Sequence, residues 1–101
     1  MADVVTLLAV SANTTSAIED AGDLKDEVSI FVEAPVGVTA FSVQFSGSMD
    51  GVNFLPVGSA VTAVTPGTVV TGLPLLRYFR AALTGYTGSG TLTAKLAFGK
   101  L

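Results

Sequence analysis

Apolar and polar residues alternate with a period of two along much of this chain. Between Val38 and Ser46, Phe41, Val43 and Phe45 fall on one face and Ala40, Ser42, Gln44 and Ser46 on the other. That is the pattern of a half-buried strand. Leu92, Ala94, Leu96 and Phe98 alternate with Thr91, Thr93 and Lys95 in the same way, as do Val28, Ile30 and Val32 with Ser29, Phe31 and Glu33. A fourth strand is expected over Leu75–Leu83, with Phe79, Ala81 and Leu83 inward and Tyr78 and Arg80 outward. Shorter strands are expected at Val4–Val10, Thr15–Ile18, Asn53–Val57, Val61–Val64 and Thr68–Thr71. Two places break the pattern. Phe31 is an outward aromatic, which marks a candidate contact surface. Val4–Val10 is apolar on both faces, a pattern that asks for cover on both sides.

Turn signals separate these segments at strand-length intervals. They are Ala21-Gly22-Asp23, Pro35-Val36-Gly37, Met49-Asp50-Gly51, Thr65-Pro66-Gly67, Gly72-Leu73-Pro74 and the Gly85–Gly90 loop. Asp50-Gly51 is a pair suited to a tight hairpin turn, with Asp capping backbone N–H groups and Gly supplying positive φ. The expected fold is therefore all-β: a single-domain antiparallel β-sandwich, immunoglobulin-like or jelly-roll, of roughly seven to nine short strands. Residues 1–101 form one domain in this reading, with 1–14 a candidate N-terminal arm or strand reaching a neighbouring subunit.

Composition narrows the function. Half of the chain is apolar and 13% is charged, too hydrophobic for disorder. No apolar run reaches the ~20 residues that span a bilayer as a helix, so no membrane partner is expected. A net charge of −3, with five scattered basic residues, supplies no basic stripe for nucleic acid. Histidine, cysteine and tryptophan are absent. That removes Ser-His-Asp and Cys-His nucleophile systems and thiolate or imidazole metal sites. An enzyme is not expected, nor a cofactor. The N-terminus has no basic region before its apolar stretch, so the protein is expected to stay in the cytoplasm where it is made until something assembles it.

Five of the eight acids, Glu19, Asp20, Asp23, Asp26 and Glu27, share one short stretch. It reads as a solvated loop. The sharper alternative is a Ca²⁺ site gathering oxygens from Asp20, Asp23 and Asp26. Asp50-Gly51-Val52-Asn53 offers oxygens too, although the turn role suits it better. Tyr78, Arg80 and Tyr86 invite three readings: cover for a sheet face, a protein contact, or a sugar-stacking platform.

Several segments taken in order are familiar. Ala17–Asp23 precedes Val28-Ser29-Ile30-Phe31-Val32. Then come Phe41–Phe54, with its Ser48-Met49-Asp50-Gly51-Val52-Asn53-Phe54 hairpin, and Leu76-Arg77-Tyr78-Phe79-Arg80-Ala81. From about Ala17 onward the chain resembles a broad group of small tailed-phage virion structural proteins, the decoration or cement-like β-sandwiches among them. The resemblance implies a virion location and a non-enzymatic role, first as capsid decoration binding the outer shell in many copies. The alternatives are a tail or head–tail connector component and a glycan-binding adhesion module. It implies the major capsid protein and other copies of the chain as partners, a trimer being favoured. The expected contact residues are Val4, Val5, Leu7, Leu8, Phe31, Tyr78 and Arg80.

Overall fold

The computed structural model describes residues 3–98, and their side chains except at positions 3, 4, 23, 25, 26, 65, 66 and 72–74. The strands are β1 (Asp3–Val10), β2 (Thr14–Thr15), β3 (Glu19–Glu33), β4 (Val38–Ser48), β5 (Leu55–Val61), β6 (Thr65–Gly88) and β7 (Leu92–Phe98). All pairings are antiparallel, and one continuous ladder runs β1-β7-β3-β6-β4-β5, with β2 paired to β6.

The ladder folds into two packed sheets because β3 and β6 bend together. Residues 27–32 of β3 pair with 65–71 of β6, whereas 19–25 pair with 76–79. Register shifts between Asp20 and Lys25 and between Lys25 and Glu27 mark the bend. Strands that change layer through bulges make the corners of such sandwiches. The first sheet holds β1, β7 and the facing halves of β3 and β6. The second holds β5, β4, the rest of β6, β2 and the start of β3. The strands are thus longer than expected. Gly72-Leu73-Pro74 and Ala21-Gly22-Asp23 are corners inside β6 and β3, not turns between strands. The expected Val61–Val64 strand is absent, since β5 ends at Val61, and the expected strand at Thr15–Ile18 shrinks to Thr14–Thr15.

The core follows the alternation. Leu8, Val28, Ile30, Val32, Leu92, Ala94, Leu96 and Phe98 of the first sheet meet Val43, Phe45, Val57, Leu76, Phe79, Ala81 and Leu83 of the second. The Phe79 and Phe98 rings join the layers at 5.2 Å between centroids, tilted by 49°. Burying each large side chain contributes about 1.5–3 kcal/mol before entropy is set against it.

β1 explains its own doubly apolar sequence. Thr6 pairs with Lys95 and Leu8 with Ala94, so Leu7 is an extra residue in a bulge. The bulge shifts the phase of the strand. Val5 and Val10 then lie opposite the inward Leu96 and Leu92, while Thr6 and Ala9 face solvent. Val5, Leu7 and Val10 pack at the margin of the core. Most of the segment read as an arm is therefore an edge strand hydrogen-bonded to β7 of its own chain.

Candidate contact surface

The β4–β5 connection is a wider loop than the tight hairpin expected: pairing ends at Gly47–Leu55, and residues 49–54 lie outside the strands. A network of short-range hydrogen bonds holds it. The Ser48 hydroxyl donates to Asp50 Oδ1 at 2.8 Å and accepts from the Asp50 and Gly51 N–H groups at 3.2 and 2.9 Å. Asp50 Oδ1 accepts from the Val52 and Asn53 N–H groups at 2.8 and 2.9 Å, and Oδ2 from Asn53 Nδ2 at 3.1 Å. Gly51 sits at φ +80°, as a turn of this shape requires. The Asn53 and Val52 amides, then Ser48 and the Asn53 side chain, hold the Asp50 carboxyl far below the usual carboxylate range. Both its oxygens already have donors, which is the turn role rather than the Ca²⁺ role.

The loop lies against the outer face of the second sheet. Ser48 pairs with Tyr78 across the β4–β6 ladder and Ser46 with Arg80. Ser48 points outward yet is fully buried, because the loop closes over it. Two contacts seat the loop. The Tyr78 ring lies 3.5 Å from where a Cβ on Gly51 would stand, and the Arg80 guanidinium lies 4.1 Å above the Phe54 ring centroid. Arg77 approaches the Tyr78 ring at 5.3 Å. Tyr78, Arg80, Phe54 and Ser46 are half-buried, while Met49, Val52 and Leu55 are exposed. The structure thus brings two of the expected contact residues, Tyr78 and Arg80, together with a loop. Sequence reasoning missed the part played by Phe54. The signal for the loop was present in Ser48-x-Asp50-Gly51-x-Asn53, polar side chains spaced to bond nearby backbone. Nothing local announces that Phe54 folds under Arg80.

The remaining expected contact residues are scattered. Leu8 is 2% exposed and belongs to the core, which corrects its place among surface contacts. Val5 and Leu7 flank it, and the Val4 side chain lies outside the described residues. Phe31 is outward and half-buried on the first sheet, and its ring covers Gly67 of β6, where a Cβ would stand 2.6 Å from Cε2.

The acidic stretch is strand, not loop, because the start of β3 is recruited to the β6 ladder. Asp20 accepts from Arg77 Nε at 2.7 Å, from its Nη2 at 3.0 Å and from the Gly22 N–H at 2.8 Å. Arg77 first, then the Gly22 amide, lowers the Asp20 pKa. The side chains of Asp23 and Asp26 lie outside the described residues, and among those described no three acids gather as a metal site. The Tyr86 hydroxyl donates to the Gly90 carbonyl, and its N–H donates to Asn13 Oδ1 at 2.9 Å. The hydroxyl of this sugar-stacking candidate therefore serves the 85–90 segment itself, and its N–H ties that segment to the β1–β2 connection.

No protein-family model and no curated protein matches the sequence. Among solved structures, the SPBc2 prophage-derived protein YomS is similar over 97% of this chain and 92% of its own, with a TM-score of 0.75 and 12% of residues identical. The likeness is one of fold, and it spans both chains almost completely.

Proposed function

We propose that this chain is a non-enzymatic structural protein of a tailed-phage particle, and that it decorates the outer capsid shell in many copies. The observation that carries the reading is the near full-length likeness of fold to a prophage-derived protein. The resemblance of Phe41–Phe54 and Leu76–Ala81 to small virion proteins supports it. The contacting surface in this reading is the outer face of the second sheet, where Tyr78, Arg80 and the 49–54 loop meet. The partner is the major capsid protein, with self-association, as a trimer, at the shell. A protein that binds the assembled shell and not its loose subunits stabilises the shell by mass action.

Quantitative mass spectrometry of purified particles tests this reading. Decoration expects a copy number that scales with the number of capsid subunits. A few copies, or one ring per particle, would replace decoration by a tail or connector role. Absence from the particle would overturn the virion reading altogether.

A further inference from the structure

We infer that Arg80, Ser46 and Tyr78 form a receptor for a single carboxylate on the protein surface where this chain docks, an inference that rests on the docking role proposed above. The three lie together on the outer face of the second sheet. Ser46 is directly opposite Arg80 in the β4–β6 ladder, and Tyr78 is two residues along the same strand, on the same face. Opposed Cβ atoms in such a ladder stand about 4.5–5.5 Å apart. All three side chains are half-buried, and none makes a hydrogen bond or ion pair among the described residues. The other basic side chains described do have acids: Arg77 is held by Asp20 and Lys95 lies 3.5 Å from Glu33. Arg80 alone among them has none.

Phe54 fixes what Arg80 can offer. The guanidinium carbon lies over the ring, 4.1 Å from its centroid. The N–H groups lie in the plane of the guanidinium, at its edge, and those turned away from the ring can take a carboxylate in bidentate fashion. The Ser46 and Tyr78 hydroxyls, on the same face of the sheet, are two further groups able to donate. Guanidinium N–H groups beside two hydroxyls able to donate are complementary to an oxyanion.

The surroundings select a protein carboxylate over a polyanion. The chain carries a net charge of −3, and the acids on this sheet and its loop, Asp20 and Asp50, are exposed. A nucleic-acid backbone would be repelled by them. Met49 and Val52, exposed on the loop that Arg80 and Tyr78 hold, supply apolar contact around one charged anchor. An arginine and a tyrosine beside apolar cover match the make-up of protein-interface hot spots.

The test uses two probes and the variants R80Q, R80K and S46A, each first shown by circular dichroism and melting to keep the fold. In the first arm, a capped peptide with one glutamate among alanines and leucines is titrated into the labelled protein and the Arg80 Nε–H resonance is followed by NMR. A saturable shift is expected. R80K keeps the charge but loses the planar fork, and should weaken binding about tenfold, equivalent to ~1.4 kcal/mol. S46A should weaken it about threefold. In the second arm, shells assembled without the protein are mixed with wild type and R80Q. Wild type is expected to cosediment, and R80Q to need at least tenfold more protein. A single-glutamate peptide that leaves Arg80 unmoved, or shells that bind wild type and R80Q alike, would overturn the receptor. Shells that bind neither protein, with the single-glutamate peptide still bound through Arg80, would overturn decoration and leave the receptor standing.

Discussion

The two outer faces of the sandwich start from the same sequence pattern and end in different chemical states. Each presents an outward aromatic beside a cation, Phe31 with Lys95 on the first sheet and Tyr78 with Arg80 on the second. Each aromatic also roofs a glycine, Gly67 under Phe31 and Gly51 under Tyr78. On the first face the local demands are met within the chain: Phe31 fills the space above Gly67, and Lys95 lies near Glu33. On the second face Arg80 has an aromatic ring but no acid among the described residues, and the two hydroxyls beside it have no acceptor among them. An outward aromatic therefore does not by itself mark a docking surface. What separates the faces is whether the polar groups around the ring are already satisfied.

The largest effect is expected where the first face is closed most tightly. Gly67 has φ +133°, and a Cβ there would stand 2.6 Å from Phe31 Cε2. Gly67→Ala should cost about 2–4 kcal/mol, from backbone strain and overpacking together. In a Phe31→Ala background the collision disappears and only the strain remains, so the same substitution should cost about 1–2 kcal/mol. Urea unfolding of the four proteins measures the coupling. Strictly additive costs would show that Phe31 does not serve Gly67, and would return it to the list of free contact residues.

On the second face, Ser48→Ala should cost about 1–3 kcal/mol, because it strands the Asp50 and Gly51 N–H groups that the hydroxyl now satisfies beneath the loop. Ser29→Ala, a serine of similar alternation on the first face with no such partners among the described residues, should stay within about 0.5 kcal/mol. Hydrogen exchange gives a second reading: the Gly51 amide should lose protection in Ser48→Ala and keep it in Ser29→Ala. Equal costs for the two serines would mean that the loop is not pinned through Ser48.

Much of the fold was legible before the structure. The inward sets Val28-Ile30-Val32, Phe79-Ala81-Leu83 and Leu92-Ala94-Leu96-Phe98 are core because burial on one face leaves a period of two. The corners were not legible. Gly72-Leu73-Pro74 has the chemistry of a turn, but Thr71 and Leu76 on either side of it remain paired with Glu27 and Lys25 of β3, and pairing partners so distant in sequence leave no local mark. The acidic stretch was misread for the same reason. Val4–Val10 looked doubly apolar because a bulge at Leu7 shifts the phase, which alternation cannot register. At the contact surface, alternation placed Tyr78 and Arg80 outward correctly. The approach of Phe54 to Arg80 depends on how the loop returns, and that path is set by hydrogen bonds to Ser48 and Asp50.

Those hydrogen bonds also give the loop a dependence on acid. In the unfolded chain Asp50 titrates near the ordinary aspartate value, about 3.9. In the folded chain the Asn53 and Val52 amides, Ser48 and the Asn53 side chain hold its pKa far lower. As pH falls through about 3.9 the unfolded chain takes up the proton first, and stability declines. The contribution of Asp50 is thus fully present above that pH and is lost progressively toward the folded value. Asp20 behaves alike through Arg77, on the β3 corner rather than on the loop. Both carboxyls are exposed, so solvent screens the gain and the effect should be the smallest of the three. Unfolding followed from pH 7 to pH 2 should show wild type losing stability steeply below pH 4, and Asp50→Asn, weaker at neutral pH, losing less. The two curves should converge in acid. Parallel curves would mean that the loop draws nothing from the charge of Asp50, and would leave Ser48 alone holding the surface on which Arg80 and Tyr78 stand.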